Sequence, residues 1–343
     1  MIDTVKIYAE IDKNIYQKIY NNSIIKSSHN NKTNSLLYEI VNDHLEGSYS
    51  SNLSVRIGSG VKYGFVDKGY FIEIEGSLHK ILRGYNSHNG FYDLAFICDN
   101  LINIVEDYYD IILPDTTNWF LQRCDIAICF DIKNQHNVCT YINNLSNCRY
   151  PRRGFKFYKD ESIYVSGTTT TLKIYNKLIE FKSHDLKKFR DTSFDIFDYL
   201  STIKGFIRFE CEIKKKMLRK IYNCNNISVL KFNYDMLKDI WSEEFMKLLK
   251  FINNDLEIIN NRDDVYNLLN KVYSPVKARN LYNFYLNVIF DGVQNTKNKV
   301  SKSVFYRNIS CLRNLNIDLS QKIDIDTVDN RLNFNPFEWK EVV

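Results

Sequence analysis

The sequence predicts an α+β protein, with a mixed or antiparallel sheet core over residues 1–225 followed by an all-helical region over 226–343. Three observations predict it. Apolar and polar residues alternate in several short segments of the first two-thirds, the period-two signature of half-buried strands. Helical periodicity interrupts these strands rather than replacing them. After about residue 225 the alternation stops, and only helical spacing continues.

Alternation places strands at 4–11 (TVKIYAEI), 53–57, 60–75 with a turn near Asp67-Lys68-Gly69, 123–132, 153–165, 171–179 and 205–214. Residues 21–35, NNSIIKSSHNNKTNS, read as a mobile Ser/Asn-rich connector. Between 93 and 111, Leu94, Ile97, Cys98, Leu101, Val105 and Tyr108 fall on one stripe and predict a helix. A second helix is expected at 136–146. Strand-plus-helix material thus occurs twice, in 4–111 and 123–221, the pattern of an internal duplication.

In the last third, Leu237, Ile240, Trp241, Leu248, Leu249 and Ile252 mark one helix. Val265, Leu268, Leu269 and Val272 mark the next, and Leu281, Tyr285, Val288 and Ile289 a third. Residues 301–320 open on serines suited to an N-cap, carry Phe305, Ile309, Leu312 and Leu315 on one face, and leave Tyr306, Arg307 and Arg313 on the other. Both the second helix of a helix-turn-helix and a basic helix packed on a bundle carry that pattern.

Composition narrows the class. The 343 residues are 44% hydrophobic and 25% charged, globular values with room for about two domains. The net charge of +5 permits an anionic partner without demanding one. Eight scattered cysteines without a C-x-x-C pair read as reduced residues of a cytoplasmic protein. Six isolated histidines offer no metal-binding spacing. No signal peptide and no run long enough to span a bilayer are visible, so no membrane role is expected.

The polar faces of four strands carry the chemistry. In TLKIYNKLIEF (171–181), Tyr175 falls between Lys173 and Lys177, opposite Leu172 and Ile174. In YFIEIEGSLHK (70–80), Glu73 and Glu75 oppose Ile72 and Ile74. In RCDIAICFDI (123–132), Arg123, Asp125 and Asp131 oppose Ile126, Ile128 and Phe130. In FIRFECEIKKK (206–216), Arg208, Glu210, Glu212 and Lys214 oppose Ile207, Phe209, Cys211 and Ile213. One shared sheet would bring Glu73, Asp125, Glu210 and Tyr175 together. Carboxylates so grouped repel unless a cation lies between them. Oxygen ligands select Mg²⁺ or Mn²⁺, which bind phosphate oxygens. Simple cross-strand pairing of each acid with Lys or Arg reads equally from the pattern.

Six segments, in order, resemble the gene II replication proteins of filamentous phages and the broader phage and plasmid II/X family of rolling-circle initiators. They are MIDTVKIYAEI, IEIEGSLHKILRGYN running into YDLAFICDNLI, RCDIAICFDI, TTTTLKIYNKLIE, GFIRFECEIKKKMLRK and SVFYRNISCLRNLNIDLS. LKIYNKLIE…IRFECEI is also similar to the tyrosine strand and R-x-E strand of Gram-positive plasmid Rep initiators. The resemblance implies a site-specific DNA endonuclease and strand transferase in the cytoplasm of a bacterial host, working with its polymerase and helicase. By that resemblance Tyr175 is the nucleophile, Lys177 its conserved lysine, Asp125, Glu210 and Glu73 the acids, and Lys80 and Gly84 further matches. Glu212 departs from the family, where a basic residue often follows R-F-E.

On this reading Lys173 and Lys177 favour the phenolate of Tyr175, or else clamp phosphate, and Mg²⁺ or Mn²⁺ on the three acids neutralises the phosphoryl oxygens. Nicking leaves a 5′-phosphotyrosine and a free 3′-OH. Residues expected to meet the DNA backbone are Lys80, Arg152, Arg153, Arg208, Lys214, Lys215, Lys216, Arg307 and Arg313. The competing class is a non-catalytic origin or single-stranded DNA-binding replication protein, in which the acidic sheet is structural.

Overall fold

The fold is taken from a computed structural model, which describes residues 1–23, 25–29, 33, 36–46, 52–59, 69–145, 150, 152–189, 194–249, 262–291, 293–313, 315, 317 and 336–342. The chain opens with β1 (Ile2–Ile11), α1 (Lys13–Asn22), β2 (Ile25–His29), β3 (Leu36–Glu46), β4 (Asn52–Ser59) and β5 (Tyr70–Gly76). Helices α2 (Leu78–Arg83) and α3 (Leu94–Tyr109) follow. The pattern then restarts with β6 (Phe120–Asp131), α4 (Gln135–Asn144), β7 (Gly154–Tyr158), β8 (Ser162–Ser166) and β9 (Thr170–Asn176). After α5 (Lys177–His184) and α6 (Ile196–Thr202) come β10 (Phe206–Lys214), α7 (Lys215–Tyr222) and α8 (Tyr234–Leu249).

These strands form one sheet in the order β2-β3-β4-β5-β1-β6-β10-β9-β8-β7. Every pairing is antiparallel. The order is symmetric about the β1–β6 junction. In each half the first strand lies at the centre, a helix carries the chain to the outer edge, and the remaining strands step inward until the last lies beside the first. The doubled strand-plus-helix pattern of the sequence therefore exists as doubled topology.

Apolar residues of the central strands face the helices. Val5, Ile7, Ile72 and Ile74 are buried, as are Leu94, Ile97, Cys98, Leu101 and Val105 of α3. Tyr108 does not join that stripe: it is 61% exposed and Tyr109 takes the inward place. The Tyr109 hydroxyl donates to Asp43 at 2.5 Å, so the buried phenol is satisfied. In the second half, Phe209 of β10 packs against Tyr141 of α4 and against Trp241 and Phe245 of α8. Trp241 Nε1 also donates to the Phe209 carbonyl at 3.1 Å.

That contact moves the expected boundary at 225. The chain divides into one unit of residues 1–251 with 339–343 and another of 252–338. Helix α8 groups with the sheet because its indole is anchored on β10. The second unit holds α9 (Arg262–Val272), α10 (Pro275–Asp291), α11 (Val293–Lys299) and α12 (Lys302–Arg313). Phe305, Ile309 and Leu312 of α12 share a core with Leu281, Phe284, Tyr285 and Val288 of α10, as their spacing predicts. Val272 departs, lying 51% exposed. The short strand β11 (Glu341–Val342) returns to pair with β6.

Three local expectations fail, one of them the strand read over 153–165, which is an antiparallel hairpin of β7 and β8. Residues 25–29, read as part of a mobile connector, form β2 and pair with β3, so ladder hydrogen bonds override the Ser/Asn composition. The strand read over 171–179 stops at Asn176, whose side chain accepts from Ile179 N at 3.2 Å and caps α5. The strand drawn over 60–75 begins at Tyr70 among the described residues, with 60–68 outside them, and Ile252 lies outside them too.

Candidate active site

Register alone assembles the polar face. Across β9 and β10, Tyr175 pairs with Arg208 and Lys173 with Glu210. Across β10 and β6, Glu212 pairs with Asp125, and Arg208 with Cys129. Across β1 and its neighbours, Lys6 lies opposite Glu75 and Arg123, and Tyr8 opposite Glu73. Side chains alternate strictly in strands, so these pairings put Tyr175, Glu73, Asp125 and Glu210 on one surface.

The tyrosine lies deep in that surface, 7% exposed. Its hydroxyl donates to Glu210 Oε2 at 3.3 Å and accepts from Asn86 Nδ2 at 3.2 Å. Burial holds the phenol well above its ordinary pKa, and the Arg208 guanidinium pulls it back only in part. The phenolate-favouring cation is thus Arg208, which lies 6.0 Å from the Tyr175 ring centroid. Both flanking lysines already have partners. Lys173 is committed to an ion pair with Glu210. Lys177 opens α5 instead of continuing the strand and is fully buried, bonded to the Asn86 carbonyl and to Glu180 at 2.7 Å. Burial pushes its pKa down against the pull of Glu180.

The three acids do not form one ligand set. Glu73 is held by Lys6 at 2.7 Å. Arg123 clasps both oxygens of Asp125, at 2.7 and 2.5 Å. Among the described residues no three His, Cys, Asp or Glu side chains are grouped to hold a metal. Asp125 and Glu210 are nevertheless close enough to affect each other. Burial pushes Asp125 up to about 7 against the Arg123 bonds, and the Glu210 charge adds to the rise. A carboxylate so destabilised in its charged form retains demand for cation. Two carboxylates with a substrate phosphate are a usual Mg²⁺ setting. Asp125 and Glu210 could fill that role.

Residues 1–238 match the family model described as the N-terminal region of the phage gene II replication-associated protein. The chain belongs to that family. It is 22% identical over 302 residues to the replication-associated protein of Salmonella phage IKe, covering 76% of this chain and 70% of that one. It is likewise 22% identical over 299 residues to the replication-associated proteins of Enterobacteria phages M13 and f1, covering 76% of this chain and 72% of each.

In this member of the replication-associated family a second layer of side chains, absent from the motif reading, builds the site. Asp3 on β1 faces Arg208 Nη2 at 3.2 Å, His79 at 3.3 Å and Lys80 at 3.4 Å. Against the burial that would raise it, the Lys80 and Arg208 charges hold its pKa well below the carboxylate range. Burial pushes His79 down to about 3, so the ring is neutral. Asn86 is the junction of the network. Beyond Tyr175 it bonds Glu180 at 3.0 Å, and its backbone N–H donates to Asp185 at 3.1 Å. It is placed by Gly84, whose φ of 81° ends α2 in the left-handed conformation that glycine adopts freely. The signal was the polar run GYNSHNG after that helix, but loops are commonly polar, so composition could not single out Asn86.

The duplicated half lacks this chemistry. Arg56 pairs with Glu73 as Lys173 does with Glu210, and the place of Tyr175 falls to Gly58. A Cβ there would lie 2.4 Å from Phe71 Cζ.

The expected DNA-contacting residues separate into free and committed cations. Arg208 is fully buried, facing Asp3 and donating from Nη1 to Ser87 O at 2.7 Å, so it is no surface contact. Arg153 is locked to Glu244. Lys214 donates to Gly167 O at 2.9 Å, and Lys215 lies 5.1 Å from the Tyr8 ring centroid. Lys80 is partly exposed beside Asp3. Arg152, Lys216 and Arg307 are exposed, whereas the Arg313 side chain lies outside the described residues. Among the described residues no helix is long and apolar enough to cross a membrane.

Proposed function

We propose that this chain initiates rolling-circle replication as a DNA nickase and strand transferase, with Tyr175 as nucleophile. The observation that supports it best is the Tyr175–Glu210 hydrogen bond beside buried Arg208, on a sheet surface built from segments of a replication-protein family. In this reading Glu210 takes the phenolic proton as Tyr175 Oη attacks the scissile phosphorus. The bond from phosphorus to the 3′-oxygen breaks, and that oxygen takes a proton from water. A 5′-phosphotyrosine and a 3′-OH result, and the host polymerase and helicase continue from there in the bacterial cytoplasm. Arg208 stabilises the phenolate, and Lys173 positions Glu210 through their ion pair. Asp125 and Glu210 would hold Mg²⁺ or Mn²⁺ when DNA brings phosphate oxygens, and the ion would offset charge on them. Reaching Tyr175 Oη requires the strand to displace Asn86.

Incubation with origin-bearing DNA and Mg²⁺ or Mn²⁺ should yield an SDS-resistant covalent adduct. Tyr175→Phe should abolish it while retaining DNA binding. An adduct that persists in Tyr175→Phe refutes the assignment.

One observation favours a second reading, a non-catalytic origin-binding or single-strand-binding replication protein. Tyr175 is buried, and each acid of the face already has a cation. That reading expects no nicking with any metal.

A further inference from the structure

At the opposite end of β9 from Tyr175, the turn between β8 and β9 forms a cleft of about 340 Å³. Arg152, Arg153, Ser166, Gly167, Thr168 and Thr169 line it, with no carboxylate among them. Its two arginines differ in kind. Arg153 is part of the wall: its guanidinium pairs with Glu244, donates to Thr170 O at 3.4 Å and stacks 3.9 Å from the Tyr150 ring centroid. Arg152 is exposed. Its backbone sits at φ 62°, a left-handed conformation that a residue with a side chain rarely adopts. Among the described residues the Arg152 guanidinium and the hydroxyls of Thr168 and Thr169 engage no partner. One free cation with neutral donors and no acid is the donor set for a singly charged oxyanion.

One edge of the cleft meets the end of the polar face. Lys214 Nζ reaches the Gly167 carbonyl at 2.9 Å. From there the paired residues Thr171 and Glu212, then Lys173 and Glu210, lead along the ladder to Tyr175 and Arg208. Thr169 precedes Tyr175 by six residues of near-extended chain, a span of about 20 Å.

We propose that this cleft is a second phosphate subsite, which holds a backbone phosphodiester of the DNA strand whose scissile phosphate reaches Tyr175. It rests on the nicking reading only for the path of the strand.

The test uses the full chain carrying Tyr175→Phe, so that no cleavage enters, and measures single-stranded oligonucleotide affinity across a salt series. Arg152→Ala should weaken binding and flatten the slope of log K against log salt by about 0.7, one phosphate of a single strand. Thr168→Val with Thr169→Val should weaken binding roughly fivefold with little change in slope. Shortening the oligonucleotide from one end, and not the other, should abolish the Arg152→Ala penalty at a defined length. Unchanged affinity and slope in both variants would overturn the proposal. So would a penalty that survives shortening from both ends, or a cleft titrated by inorganic phosphate with no effect of DNA. Because all arms read binding alone, absence of a tyrosine adduct in the unsubstituted chain refutes the nickase and leaves the subsite measurement standing.

Discussion

Arg208→Met separates a buried strut from a DNA contact. The guanidinium is fully buried and faces Asp3 at 3.2 Å, with Ser87 O as its hydrogen-bond acceptor at 2.7 Å. Its Nε and Nη2 lack an aligned hydrogen bond among the described residues, so its environment is matched in charge more than in geometry. Removing one member of a buried pair typically costs about 3–5 kcal/mol, because the other charge is left uncompensated. The Lys80 ammonium still faces Asp3, which places the expected loss near the lower end, about 3 kcal/mol. For a unit of this size that lowers Tm by roughly 10 °C. Calorimetry gives the midpoint, and oligonucleotide titration well below it gives affinity. Affinity should stay within about threefold, with a salt slope unchanged, since no phosphate contact is lost. Asp3→Asn added to Arg208→Met should recover part of the loss, because the stranded carboxylate is gone. An unchanged Tm with a flattened salt slope would refute the buried role and restore Arg208 as a DNA contact.

Asp125 supplies a pH signature. With a folded pKa of about 7 and an unfolded value near ~3.9, the folded chain holds the extra proton between those limits. Stability from this group therefore falls as pH rises from about 4 to 7, by about 4 kcal/mol in all. Urea titrations at several pH values should show Asp125→Asn flattening that segment, and parallel curves for both chains would contradict the assignment. Lys177→Met should cost about 2 kcal/mol, by stranding Glu180 and the Asn86 carbonyl. A lysine serving only to activate the tyrosine would leave the unfolding midpoint unmoved. Electron paramagnetic resonance of DNA-free protein should find no Mn²⁺ site tighter than about 1 mM, since the acids are already paired. Adding oligonucleotide should create a site sensitive to Asp125→Asn. Tight DNA-free binding lost with Glu73→Gln would instead support a three-carboxylate cage.

Much of the framework was legible because it rests on period. Alternation in FIRFECEIKKK and RCDIAICFDI sets which residues share a face, whatever strand lies alongside. Tyr175, Asp125 and Glu210 accordingly emerge on one surface. Depth was not legible. A strand with polar residues on one side reads as solvated, yet α5 and the 84–89 segment close over Tyr175, through Asn86, Lys177 and Glu180. The end of β9 was also misread, although Asn176 was visible as a break in the apolar face. Capping and alternation compete over so short a stretch, and the N-cap hydrogen bond prevails.

The linear order of residues determined the α+β class, the doubling of strand-plus-helix material and the tyrosine strand, because side-chain direction within an element needs no distant partner. The folded chain alone decided which charges answer which. Arg208 is turned inward to Asp3, Arg153 is used up on Glu244, and Arg152 is left free. Electrostatic roles depend on neighbours dozens of positions away and on the water they exclude, and neither is written in local spacing.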